Sequence, residues 1–333
     1  MKVLIMETLY PQGHIAVNKA IVEIISNISE VVYLADYNDY FATVKLSENI
    51  NKVNVRMQFL PKRIKHLIIL CFVLNTLIIK SQMKDHEFDS IVLLSSSNEA
   101  LPFIRKIFKN KRIYIFHHND IDLMIKNKKT KIFKTYMNSV YHFVFADFIK
   151  DGLIRETGVD KSRVYTVNHP ITENTVSTKP NTSAISEKVF IGLGLSNDEK
   201  LIDELIKFDK SGEKLSKNRK IIIRSKQTNY SGNWLNVFSG YLDNDEYLNM
   251  YKKASAILLC YPNIFRYRYS GSFINAMIEK KKVFSSHTLL GKYLNTKYPN
   301  NCKIFTSAAE LISIIDSFDE EFDDNEYDDF IRD

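Results

Sequence analysis

The sequence predicts an α/β protein made of two Rossmann-like, doubly wound domains. Three observations carry this. Short β-rich apolar runs alternate with stretches of helical period along most of the 333 residues, the pattern of parallel βαβ units. The length suits about two domains. Between 171 and 186 the sequence turns rich in Ser, Thr and Asn, includes Pro180 and loses its period, which reads as a linker. The expected division is 1–170, a linker at 171–187, a second domain at 188–317 and an acidic tail at 318–333.

The elements follow in order. Strands are expected at 3–6, 31–34, 53–59, 91–94, 113–116, 143–145 and 163–167, each a short apolar, β-rich run. Helices at 16–25, 64–79, 100–108 and 132–140 show apolar residues at helical spacing. After the linker, strands are expected at 189–192, 221–224, 237–239, 257–260 and 282–285, with helices at 199–208, 246–254, 272–279 and 308–315. No repeat of fixed period interrupts this order.

Composition narrows the class. Hydrophobic residues make up 45% and charged residues 26%, which excludes global disorder, a collagen-like chain and a disulfide miniprotein. Cys71, Cys260 and Cys302 are odd in number and form no C-x-x-C, so neither a disulfide framework nor a zinc site is implied and a cytoplasmic location fits. The opening MKVLIMETLYPQGH does not read as a signal peptide, because its apolar run meets Glu7. The net charge of +7 is uneven: residues 316–333 hold ten acids against Arg332 alone. The body is therefore strongly basic and suited to nucleic acid, an anionic membrane or a phosphorylated small molecule. The tail is expected to be a solvated, partly mobile end or, alternatively, to lie back on the basic body and screen it.

In open parallel sheets, ligands bind beyond the carboxyl ends of the strands. Two such sheets facing each other are expected to form a cleft. Gly192 and Gly194 follow a strand and suit close backbone approach to a phosphate or, equally, a tight turn. The third glycine of the dinucleotide fingerprint is missing, which argues against NAD. Arg224 and Lys226 emerge past the next strand, where they either clamp a pyrophosphate or stand solvated. Tyr267, Arg268, Ser270, Gly271 and Ser272 precede a helix and combine N-cap chemistry with a basic, aromatic loop. In the first half, His117 and His118 directly follow a strand, with Asp120 and Asp122 nearby. Alternation points one imidazole outward and one inward, and the outward one suits a base near neutral pH. Simple loop hydrogen bonding suits the pair as well. Gly13 and His14 lie on another loop before the first helix.

These segments resemble GT-B glycosyltransferases, most nearly the family-4-like enzymes that build bacterial capsules and O-antigens. The resemblance covers about residues 1–315. Residues 243–262 resemble the family's helix leading into an A-D-hydrophobic-P-S strand, and residues 273–286 its L-E-A-M-x-x-G-x-P-V-I segment. Tyr267-Arg268-Tyr269-Ser270-Gly271 is similar to a Y-R-x-S-G variant, and His117–Asp122, Asp147-Phe148-Ile149-Lys150 and His169-Pro170 fit the same subgroup. The family's two glutamates, separated by seven residues, are replaced by Tyr267 and Asn275, and its G-R-L by Gly192-Leu193-Gly194.

The resemblance implies sugar transfer from a nucleotide-diphosphate sugar to a saccharide, in surface polysaccharide biosynthesis. The expected donor contacts are Gly192, Gly194, Arg224, Lys226, Tyr267, Arg268, Ser270, Gly271, Ser272 and Asn275. The expected catalytic groups are His118, His117 and Asp120, with Gly13 and His14 toward the acceptor. No cofactor is expected. No metal is expected either, although Asp-x-Asp occurs at 120–122 and 243–245. The basic, near-continuously apolar stretch 61–84 reads as a buried helix or as one resting on anionic headgroups, and the latter suits an undecaprenyl-linked acceptor. A catalytically silent GT-B subunit is the alternative suggested by the lost carboxylates. Nucleic-acid binding is disfavoured, because no recognisable reader module is present.

Overall fold

The computed structural model describes residues 1–7, 14–37, 39–42, 44–55, 65–126, 129–171, 187–213, 215–216, 218–240 and 242–332. It divides into two compact units, Met1–Thr172 with Tyr267–Tyr269, and Glu173–Arg266 with Ser270–Asp333.

The first unit is built on β1 (Lys2–Glu7), β2 (Val31–Tyr37), β3 (Ile50–Val55), β4 (Ser90–Ser95), β5 (Arg112–Phe116), β6 (Tyr141–Val144) and β7 (Val164–Thr166). The strands lie in the order β3-β2-β1-β4-β5-β6-β7 and all pair in parallel. β1 and β4 are buried along nearly their whole length. Strands buried on both faces read as continuous apolar runs rather than alternating ones. The helices are α1 (Ile15–Ile28), α2 (Lys65–Gln82), α3 (Leu101–Ile107), α4 (Asp120–Lys126), α5 (Thr130–Lys134) and α6 (Asp147–Thr157). Val3, Ile5, Val22, Val32, Leu34 and Leu94 share one core.

The second unit holds β8 (Lys188–Gly192), α7 (Glu199–Lys210), β9 (Arg219–Ser225), β10 (Tyr230–Ser231), β11 (Leu235–Ser239), α8 (Asn244–Lys253), β12 (Ala256–Leu259), α9 (Gly271–Ile278), β13 (Lys282–Ser286), α10 (Leu289–Lys297), β14 (Cys302–Phe305), α11 (Ala308–Asp316) and α12 (Asp324–Arg332). Its order is β10-β11-β9-β8-β12-β13-β14. The short β10 runs antiparallel to β11, and the other pairs are parallel. Helix starts are set by side-chain caps: Asp198, Ser270, Thr288 and Ser307 each accept a first-turn N–H, and Asp243 with Glu246 forms a capping box.

Several expectations shift. The strand expected at 53–59 begins at Ile50 and is described to Val55; residues 56–64 lie outside the described residues. The helix expected at 132–140 breaks after α5 into a 3-10 turn, Met137–Ser139. There the buried Tyr136 hydroxyl donates to Asn98 Oδ1 at 2.6 Å, a long-range tie that local period does not encode. Helices α4, α6, α10 and α12 and strands β10 and β14 were not foreseen. The acidic tail is not a solvated end. Phe330 of α12 is buried against Phe273 and Tyr298, with ring centroids 5.8 and 6.2 Å away. Glu326 accepts the Asn300 and Asn301 N–H groups at 2.8 and 2.9 Å. Most of the acids lie outward, so charge density hides the apolar inner face. Among the described residues, no helix is long and apolar enough to cross a membrane.

Candidate functional site

In the second unit the strand order reverses at β8 and β12, which places a crevice at their carboxyl ends. A Cβ on Gly192 would come within 3.3 Å of the Leu258 carbonyl, so the glycine permits close strand approach. One on Gly194 would touch the Tyr261 ring at 3.4 Å. Tyr261 follows β12, lies flat on Phe265 with centroids 4.0 Å apart, and shares a 2.8 Å hydrogen bond with Ser270 Oγ. Burial pushes its phenol up to about 12, so it acts as a neutral hydroxyl. Ser270 Oγ also accepts the Phe273 N–H at 3.2 Å and caps α9. Tyr251 donates to the Ser272 carbonyl at 3.1 Å, and the Tyr247 hydroxyl lies 3.5 Å from Ser272 Oγ. Gly271 is exposed, and a Cβ there would meet nothing within 4 Å. First-turn N–H groups lack intrahelical acceptors and carry the positive end of the helix dipole. Gly194, Tyr261, Ser270, Gly271 and Ser272 therefore come together in an arrangement chemically suited to an oxyanion.

Other expected donor residues are placed differently. Arg224 is buried, and its guanidinium donates to the Gly240 carbonyl, with Nε at 2.8 Å. It ties the ends of β9 and β11. Lys226 is exposed, and its N–H donates to Glu199 at 2.9 Å. Asn275 is half-buried on α9. Tyr267 and Arg268 fall in the range expected for the second domain, yet both belong to the first unit. There Asp122 accepts the Tyr267 N–H at 2.8 Å and Arg268 Nε at 2.6 Å. The Tyr267 ring is 1% exposed; its hydroxyl donates to Glu156 at 2.6 Å and accepts from Arg155 at 2.7 Å.

Sequence reasoning passed over Asn197. It is buried, and its Nδ2 donates to the Gly192 and Arg224 carbonyls at 2.9 and 2.8 Å, pinning β8 to β9. Only a strand pairing brings those two carbonyls to one amide. Glu7, fully buried at the end of β1, was also missed; it accepts from Asn18 at 2.8 Å and from Ser95.

In the first unit His117 faces inward, as alternation allows. Its Nδ1 lies 2.7 Å from Asp120 and its Nε2 2.8 Å from His142 Nδ1. His142 Nε2 lies 2.8 Å from the Met137 carbonyl, which can only accept. His142 therefore donates through Nε2 and accepts through Nδ1, so His117 donates through its own Nε2. Burial pushes His142 down to about 3, consistent with a neutral ring. His118 donates Nε2–H to the Leu94 carbonyl at 3.0 Å and packs at a tilt against His14, with centroids 4.5 Å apart. Burial, then the neighbouring His14 and His169, holds His118 well below the usual imidazole range. Gly13 lies outside the described residues.

No family model and no curated protein sequence matches the chain. Solved structures do match. A glycosyltransferase from Rickettsia africae ESF-5 matches with a TM-score of 0.63 at 10% identity, over 95% of this chain and 87% of that one. Anabaena Alr3699/HepE, in complex with UDP-glucose, matches with a TM-score of 0.64 at 13% identity, over 95% and 89%. WaaG, a glycosyltransferase involved in lipopolysaccharide biosynthesis, matches with a TM-score of 0.59 at 10% identity, over 95% and 89%. The fold is GT-B. At these identities the likeness establishes architecture, and the GT-B chain's chemistry rests on its own residues.

Proposed function

We propose that this GT-B chain is a metal-independent glycosyltransferase that takes a hexose from a nucleotide-diphosphate sugar. The observation that carries the reading is the oxyanion cradle at the second unit's switch point, where Gly194, Ser270, Gly271 and Ser272 meet under Tyr261. An α9 N-terminus beside a glycine turn suits a diphosphate, and fixed N–H dipoles stabilise charge developing on the leaving group. The UDP-glucose complex of the matching Anabaena protein lends weight to a uridine donor. We assign the acceptor side to the first unit, with His118 as the proton-accepting group, supported by His14. His117, bonded to Asp120 and His142, has a structural role in this reading.

The acceptor we infer is a lipid-linked saccharide, of the capsule or O-antigen kind. Leu70, Leu74 and Leu77 of α2 are 47%, 42% and 45% exposed, and Phe103 of the adjoining α3 is 46% exposed. Exposed Lys106, Lys109 and Arg112 follow along α3 and its exit. Apolar side chains beside cations suit an anionic membrane face. A silent donor-binding subunit is the second reading, favoured by the commitment of Tyr267 to Glu156 and Arg155.

The test is calorimetric binding and turnover with UDP-, GDP-, CMP- and dTDP-sugars, on wild type and Gly271→Glu. The new carboxylate has room and favours the helix dipole, yet it repels a diphosphate. Retained stability with lost donor binding is expected. Donor binding equal to wild type removes the assignment, and donor binding without turnover selects the silent subunit.

A further inference from the structure

At the carboxyl edge of the first sheet, three imidazoles from three elements meet. His14 is the residue before α1, His118 follows β5 and His169 follows β7. His14 packs at a tilt against His118 with centroids 4.5 Å apart, His118 lies 5.2 Å from Phe145, Phe145 4.9 Å from His169, and His169 5.6 Å from Tyr269. All five residues belong to the first unit.

The polar partners of this trio are few. His118 donates to the Leu94 carbonyl at 3.0 Å and His169 to the Pro170 carbonyl at 3.2 Å. Among the described residues, the buried His14 Nδ1 has no hydrogen-bond partner. The charges acting on His118 are those of His14, His169 and His117; the one acting on His169 is His14. Among the described residues, the charges acting on these rings include no carboxylate; Glu7 is bonded to Asn18 and Ser95, and Asp120 reaches His117 through one of its oxygens. Among the described residues, no three His, Cys, Asp or Glu side chains are arranged to hold a metal ion. Burial and mutual repulsion keep the rings uncharged, with His169 pushed down to about 4. Three clustered imidazoles, kept neutral by burial and with one nitrogen orphaned among the described residues, are positioned to take up a proton when an anion enters.

We propose that His14, His118 and His169 form a phosphoryl-binding site on the first unit, which takes up its oxyanion together with a proton. An incoming phosphoryl group supplies the missing counter-charge, so one imidazole protonates as the ligand enters. Proton uptake then tracks occupancy of the site. The inference rests on the reading of the previous subsection only for the origin of the phosphoryl group, which is either a donor's leaving diphosphate or an acceptor's lipid diphosphate.

The experiment is calorimetry with inorganic pyrophosphate, UDP and a short isoprenyl diphosphate at pH 6, 7 and 8, each in two buffers of different ionisation enthalpy. All are run on wild type, on the double variant His14→Gln/His169→Gln and on Gly271→Glu. For pyrophosphate, affinity is expected to fall up to about tenfold per pH unit on rising pH, with net uptake approaching one proton. Gly271→Glu should keep this behaviour, and the double variant should lose it. The same pH dependence with UDP assigns the site to the donor side, and with the isoprenyl diphosphate to the acceptor side. Wild-type binding without proton uptake, or uptake unchanged in the double variant, overturns the proposal, and the wild-type measurement holds whether or not the variant folds. Uptake lost only in Gly271→Glu places the anion on the second unit and also overturns it, while leaving the donor reading intact.

Discussion

Replacing Gly152 by alanine tests whether Tyr267 is a fixed part of the first unit. In the interior of α6 the exchange should gain about 1 kcal/mol from helix propensity alone. Here the new Cβ would lie 2.2 and 2.3 Å from two ring carbons of Tyr267. The ring has no room to retreat: it is 1% exposed and its hydroxyl is held by Glu156 and Arg155 at 2.6 and 2.7 Å. Overpacking costs about 1–3 kcal/mol. Drawing the hydroxyl out of its charge-assisted bonds adds about 1.5–3 kcal/mol. The net loss is about 3 kcal/mol, which lowers the unfolding midpoint of a unit this size by about 6–12 °C. Differential scanning calorimetry resolves it. In a Tyr267→Ala background the same Gly152→Ala exchange should become stabilising, because the obstacle is gone. A Gly152→Ala midpoint at or above wild type would refute the reasoning.

Three further outcomes are expected. Phe330→Ala should destabilise the second unit by about 3–5 kcal/mol through the cavity left beside Phe273 and Tyr298, read by urea unfolding; an unchanged midpoint would return α12 to a solvated tail. The first unit should lose stability as pH falls from about 6.5 to about 4. His169 is held down to about 4 when folded, so across that window the unfolded chain binds the extra proton, and His142 acts in the same direction. The His169 contribution is about 3 kcal/mol in full, and a flat pH profile of tryptophan-independent far-UV melting would contradict it. Leu74→Glu should cut co-sedimentation with anionic vesicles several-fold at low salt while leaving the melting temperature near wild type, because the side chain is exposed; undiminished sedimentation would remove the membrane face.

Periodicity made β1, β4, β8 and β12 legible, because strands buried on both faces must be apolar throughout. The glycines at the end of β8 and just past it, and the Ser-Gly-Ser that caps and opens α9, were legible too, since turn and cap chemistry is local. α12 was not, because its acids outnumber the two rings that anchor it. α6 was not, because Gly152 lowers its helical signal while serving a contact with a residue more than a hundred positions away.

The sequence by itself determined the alternation, the α/β class and the positions of chemistry at strand ends, all of which arise from neighbours in the chain. Only the tertiary structure decided what each charged group does. Arg224 closes on Gly240, Arg268 and Tyr267 close on Asp122, and His117 turns inward to Asp120 and His142. The reason is physical: a buried charge or imidazole is defined by the partner that replaces its water, and that partner is chosen by the pairing of strands rather than by spacing along the chain.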